Sequence, residues 1–146
     1  MTQTVQIDFV SDISCPWCAV GLSSLALALE RLHPEVVALV RVHPFELNPA
    51  MGPGGQDVGE HLTEKYGSTP EQQAQIRQTL VERGAAVGFT FHPEGRGRIY
   101  NTFNAHRLLH WAGEAHPERQ LALKMALLLA CHRDRQAMDE PAVLVQ

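Results

Sequence analysis

Two cysteines stand three positions apart in Cys15-Pro16-Trp17-Cys18, and no other group in the chain is better equipped for chemistry. If Pro16 takes the first position of a helix, where its missing N–H costs nothing, Cys15 becomes the N-cap and Cys18 lies in the first turn. The Cys15 sulfur then faces backbone N–H groups that lack intrahelical partners, those of Trp17 and Cys18 among them, at the positive end of the helix dipole. Such surroundings favour thiolate over thiol, and thiolate is the attacking species in disulfide exchange. The order of the pair predicts the roles. Cys15 is the nucleophile; Cys18, less exposed and one turn in, attacks the mixed disulfide and releases the product.

Two other uses of the pair compete with exchange. A CxxC also ligates zinc, but zinc needs about four ligands and no second CxxC is present. His106 and His110, at i and i+4 on one helix face, are the residues that would complete a Cys2His2 set. The other use is as two inert core cysteines. A helix N-terminus placed straight after a strand is where reactive cysteines are found, which favours the redox reading.

The pair depends on the elements that position it. Val5 to Val10 alternates apolar and polar residues and then turns apolar, the pattern of a buried strand. After Ser11-Asp12-Ile13-Ser14 the period changes: Cys18, Leu22, Leu25, Leu29 and Leu32 recur at helical spacing, and Pro34 lies just past the helix end. Val36 to Val42 is β-branched and apolar, a second strand that His43-Pro44 closes. Strand, helix and strand within about forty residues form a right-handed βαβ unit.

From residue 50 onward the chain reads as helical. Asp57 and Glu60 predict a capped helix that stops at Gly67. Thr69, Pro70 and Gln72 start another that Gly88 ends. Phe91 to Arg98 is a loop, Asn101 or Thr102 caps a helix running to Ala115, and Pro117 opens a further one through His132. Asp139 to Gln146 looks like the cap and first turn of one more helix. One turn cannot offset its nucleation cost, and two parallel strands make a poor finished sheet. The pattern therefore suggests a chain cut inside a larger domain.

Composition narrows the classes. The 146 residues predict one domain by length, and 45% apolar with 19% charged residues excludes disorder and low complexity. Lys and Arg number 12 against 16 Asp and Glu, a net charge of -4 with no basic cluster, which argues against a nucleic-acid partner. No apolar run approaches the ~18 residues a membrane helix needs. The start lacks the marks of a secretory signal, so the expected location is cytoplasmic. Three cysteines in a reducing compartment do not build a disulfide framework.

The first strand, then SDISCPWCAVG, HPFELNPAM, EHLTEKYG, GAAVGF and YNTFNAHRLLHWA, resemble the DsbA-like thioredoxin-fold oxidoreductases of the FrnE type, over nearly the whole chain. The resemblance implies an α/β thioredoxin-like fold with an inserted helical domain. Residues 1–49 would be the N-terminal βαβ half, and 50–146 the helical insert with the start of the return segment. It also implies a thiol–disulfide oxidoreductase with Cys15 and Cys18 as its redox pair. The segment Phe45 to Pro49 and the block Asn101-Thr102 through Ala105-His106-Arg107 recur in this branch. No cofactor is implied beyond the redox-active disulfide itself, and the partners are protein or small-molecule thiols and disulfides. A sister branch resembles the glutathione-dependent 2-hydroxychromene-2-carboxylate isomerases and kappa-class glutathione transferases. There a serine usually replaces Cys15, and glutathione is the co-substrate. The family's closing antiparallel hairpin, its final helix and the cis-proline loop before the hairpin have no counterpart among the 9 prolines and the last residues. They are expected to be missing, which leaves a sheet edge able to pair two copies as a homodimer.

Other residues receive readings of their own. Trp17, between the cysteines, is expected to be exposed and to contact partner chains, with Pro16 beside it. Asn48 and Asn101 are read as holding loops near the site, and His106 as bonding near the cysteines or the substrate. Cys131 is read as a packed, inert thiol, and Phe45 and Leu47 as core.

Overall fold

The computed structural model describes residues 1–146. Strand β1 (Gln3–Ser11) lies parallel to β2 (Val36–Pro44), in a register that sets Phe9 against Val42 and Ser11 against Pro44. Helix α1 (Pro16–Leu32) crosses over between them. The residues after β2 form α2 (Val58–Tyr66), α3 (Pro70–Ala86), α4 (Phe103–Ala115), α5 (Gln120–His132) and a short α6 (Pro141–Leu144). A two-residue antiparallel bridge joins β3 (Gln56–Asp57) to β4 (Arg98–Ile99). The mixed α/β architecture agrees with the sequence reading, and this second ladder departs from it. It is too short to carry a pattern and falls where turn residues predict loop.

Local signals set most boundaries. The Asp57 carboxylate accepts from the Glu60 N–H at 3.1 Å, and Gly67 ends α2 at φ 65°. Thr69 and Gln72 form the complete reciprocal box that starts α3. The helix predicted from Pro117 opens instead with a 3-10 turn over Pro117–Arg119, and its α-helical part starts at Gln120.

Helix α5 is the centre of the packing. Leu127 enters one apolar cluster with Ile13, Val42, Ala105 and Leu109, while the next residue, Leu128, enters a second with Ala19, Leu22, Phe89 and Phe91. Both clusters adjoin the segment that leads into α1. The strands are covered on one face. Ile7, Phe9, Val40 and Val42 turn toward the helices, whereas Val10 and Leu39 on the other face are exposed, so the buried strand expected at Val5 to Val10 is buried on one side alone. Phe45 corrects another expectation: it is 53% exposed rather than core, because the chain leaves the sheet at Pro44 and carries it outward. Leu47 is half-buried.

Candidate active site

Asp12 makes the turn that delivers Cys15. Its carboxylate accepts from the Ser14 N–H at 3.3 Å, and the Cys15 N–H donates to the Asp12 carbonyl at 3.2 Å. This is the local turn that an Asp favours. Cys15 follows as the N-cap of α1 in an extended conformation, with Pro16 at the first helical position. Trp17 is 47% exposed beside it, in line with the exposure expected of it.

The helical part of the chain holds residues 12 to 14 from three sides. Helix α4 supplies Thr102, whose hydroxyl donates to Asp12 Oδ1 at 2.7 Å, and His106, whose Nε2 lies 3.1 Å from the same oxygen and 3.1 Å from the Phe45 carbonyl. Both of those neighbours are acceptors, so Nε2 carries the ring hydrogen. Helix α5 supplies His132, whose Nε2 lies 2.7 Å from the Ile13 carbonyl. From the loop before β4, Arg96 donates through Nη1 to the Ser14 carbonyl. The Leu47 N–H donates to Asp12 Oδ2 at 2.8 Å, which ties down the loop after β2.

Asp12 is 2% exposed yet ionises readily. Burial raises its pKa, and the bonds from His106, Leu47 and Thr102 outweigh that and hold it below the ordinary value. For His132 burial prevails, lowering it to about 3, so its ring is neutral near pH 7. Burial also draws the Arg96 guanidinium below its usual range, against the pull of Cys131, Cys15 and Asp12.

The two thiols are driven apart. The Cys15 pKa falls to about 6, chiefly because the Cys18 thiol donates to its sulfur; burial opposes this, and the Cys18 and Trp17 N–H groups and the Arg96 charge assist. Cys18 is pushed far up by that same bond, by burial and by the neighbouring Cys15 charge. Both cysteines are half-buried, so exposure does not separate them as the sequence suggested. What separates them is their place on the helix: Cys15 stands at the N-cap, where the Cys18 and Trp17 N–H groups favour its anion, and Cys18 lies in the first turn. Cys131 is buried with its thiol raised to about 11 by that burial, an unreactive state.

The remaining expected site residues stand one layer away. Asn48 Oδ1 accepts from Lys65 Nζ at 2.9 Å, and Asn101 Nδ2 donates to the Met51 carbonyl at 3.1 Å, so both fasten the loop after β2. Thr102 occupies the N-cap of α4 without capping it, its hydroxyl being committed to Asp12, while Asn101 Oδ1 accepts from the Phe103 N–H at 2.9 Å. His106 is 6% exposed and its Nε2 is engaged. It does not meet His110 and the cysteines as a Cys2His2 set, and no three His, Cys, Asp or Glu side chains converge to hold a metal ion. His106 and His110 instead border an open groove of about 540 Å³ beside Phe45, Phe103 and Trp111, and neither cysteine lines it.

Asp12, Arg96, Lys124 and His132 complete the site without having been singled out from sequence. Lys124 alone carried a signal. It lies on the stripe Gln120, Lys124, Leu127, Leu128, Cys131, at the helical spacing of a core face.

Comparison with known proteins bears on this arrangement. The chain matches the DSBA-like thioredoxin domain family over residues 6–146. A probable DsbA oxidoreductase from Streptomyces coelicolor has a similar structure, with TM-score 0.81 and 33% identity over 96% of this chain and 59% of that one. A “putative protein disulfide isomerase” from Nitrosomonas europaea shares the fold at TM-score 0.61, with 19% identity over 95% of this chain and 60% of its own. This chain thus spans about three-fifths of the length of either structure. No curated protein matches it. No helix is long and apolar enough to cross a membrane.

Proposed function

Because the chain belongs to the DSBA-like thioredoxin domain family, we propose that it is a dithiol–disulfide oxidoreductase of the FrnE type, working through Cys15 and Cys18. The observation that carries the reading is the placement of the pair, Cys15 at the N-cap of α1 with Pro16 at the first helical position and Cys18 in the first turn, where the two thiols ionise in opposite directions. A Cys15 thiolate attacks one sulfur of a substrate disulfide. A Cys15–substrate disulfide forms, and the other substrate sulfur leaves with its electron pair and takes a proton. Cys18 then loses its proton and attacks the Cys15 sulfur. The intramolecular disulfide closes and the second substrate thiolate departs, so the protein has given up two electrons. Run in reverse, the same steps oxidise a substrate dithiol.

Trp17 and Pro16 present the surface against which an incoming chain lies. Asn48, Asn101 and His106 act on substrate through the loop they fasten. The partners on this reading are protein or small-molecule thiols and disulfides. Three unpaired thiols suit a reducing compartment, and the proposal extends to a cytoplasmic setting.

Replacing Cys15 by Ser tests the assignment. Exchange with a disulfide-bonded model protein should be lost, whereas Cys18→Ser should accumulate the mixed disulfide, visible by mass spectrometry. Unchanged exchange in the Cys15 variant refutes the mechanism. Retained turnover with glutathione as obligatory co-substrate would favour the isomerase or transferase branch instead.

A further inference from the structure

Lys124 lies at the centre of α5 with a side chain that is 0% exposed, and its Nζ has no hydrogen-bond partner. An ammonium taken from water without an acceptor is costly, and an apolar side chain of similar volume would fit better. Its place is fixed from both sides. One turn earlier, Gln120 is clamped to Val42 and Leu109; one turn later, Leu127 and Leu128 enter the two apolar clusters that flank Ile13 and Ala19. Helix α5 packs on both α1 and β2, and the buried Lys124 ammonium lies near enough to Asp12, Cys18 and Cys15 for their charges to act on it.

The charged and titratable groups around it are few. Asp12, Cys15 and Cys18 act on it from the β1–α1 segment, and burial with these three sets its pKa at about 8. His132 on its own helix is neutral, and Arg96 reaches Cys15 and His132 from the loop before β4. From α4, His106 bonds to Asp12. The permanent anion, Asp12, already accepts from four donors, none of them Lys124. The one thiol that has still to become an anion in the exchange is Cys18.

We infer that Lys124 is a buried positive charge kept for the Cys18 thiolate, acting at the resolving step of the dithiol exchange proposed above. The timing follows from what surrounds Cys18. In the free protein the Cys15 sulfur holds Cys18 protonated, by their hydrogen bond and by its charge. Once Cys15 is joined to substrate, that charge is gone. What still favours the Cys18 anion is the Asp12 backbone and Lys124. The proton leaves Cys18 for solvent, the thiolate attacks the Cys15 sulfur, and the substrate thiolate departs. Lys124 therefore speeds release without joining the first attack.

Dithiobis-nitrobenzoate separates the two steps, because it yields one coloured thiolate when Cys15 attacks and a second when Cys18 resolves. Lys124→Met, which keeps length and removes charge, should slow the second release by about threefold at pH 7, because a one-unit rise in thiol pKa costs about tenfold in thiolate and returns about threefold in its reactivity, and slow the first far less. The gap should close above about pH 8, where the wild-type amine itself loses its charge. The unmodified protein supplies an independent reading, since its second-phase rate should level off near that pH. A second phase that is unaltered in the variant, or that rises in the wild type without a break through pH 9, overturns the inference alone. Absence of a fast first release overturns the dithiol reading and takes the inference with it.

Discussion

Removing the Cys18 thiol should make Cys15 a weaker acid by a predictable amount. In Cys18→Ala the N-terminal amides of α1 and the Arg96 charge remain, but the leading cause of the lowered Cys15 pKa is gone. A hydrogen bond to a charged group contributes about 1.5–3 kcal/mol, and each pKa unit corresponds to about 1.36 kcal/mol. Cys15 should therefore rise from about 6 to roughly 7–8. At pH 7 the thiolate fraction falls from about nine-tenths to between a half and a tenth. The intrinsic reactivity of the thiolate rises with its pKa, by a factor of roughly three per unit. At neutral pH the two changes nearly cancel in an alkylation rate. At pH 5 they do not: thiolate falls by roughly ten- to a hundredfold and the rate by about three- to tenfold. Ultraviolet absorbance of the thiolate against pH gives the ionisation directly, and iodoacetamide labelling at pH 5 and pH 7 gives the rates. A Cys15 pKa that moves by less than half a unit in the variant would refute the view that the two sulfurs set each other's ionisation.

Two further substitutions test the frame around the pair. Asp12→Asn can satisfy the donors at Oδ1 only by turning its own NH2 toward the Leu47 N–H. The unsatisfied donors should cost about 1–3 kcal/mol and lower Tm by roughly 2–12 °C for a chain of this size. The folded pKa of Asp12 lies below the ordinary 3.8, so its contribution is complete above that value and is lost as pH falls through the folded one. Thermal melts of the two proteins should therefore draw together as pH falls below 3.8, and a gap that does not narrow in acid would sink the argument. At Gly84 a Cβ would lie 2.5 Å from the Phe89 carbonyl oxygen and 2.6 Å from the Phe91 ring. Gly84→Ala should therefore reach the upper end of the roughly 1–3 kcal/mol that overpacking costs, despite the ~1 kcal/mol of helix propensity it returns. A lower urea midpoint is the expected result, and an unchanged one would contradict the packing of α3 on these phenylalanines.

What the sequence makes legible is what its neighbours decide. Cys15 as an N-cap follows from Pro16 and the strand before it, and the start of α3 follows from Thr69 and Gln72; both are set within four residues. The site around the cysteines is built at long range. Arg96 reaches Ser14 and His132 reaches Ile13 across some 80 and 119 positions, and no local pattern encodes such meetings. Thr102 shows the limit from the other side. Its type suits a cap, and the sequence offers it as one, but a buried carboxylate from the turn after β1 is a better partner for its hydroxyl than a helix end. Phe45 reads as core by composition and is exposed by topology.

The Gln120 side chain has a consequence for association. Its Oε1 accepts from the Val42 N–H at 3.0 Å and its Nε2 donates to the Val42 carbonyl at 3.3 Å. A carboxamide is a peptide group in miniature, and here it occupies the edge of β2 as an adjacent strand would. Strand addition from another molecule needs a run of free donors and acceptors, and on this side the run is broken at Val42. The sheet is thus guarded at β2 by a single residue of α5. Any copy or peptide that extends it by backbone pairing is steered to the far side of β1.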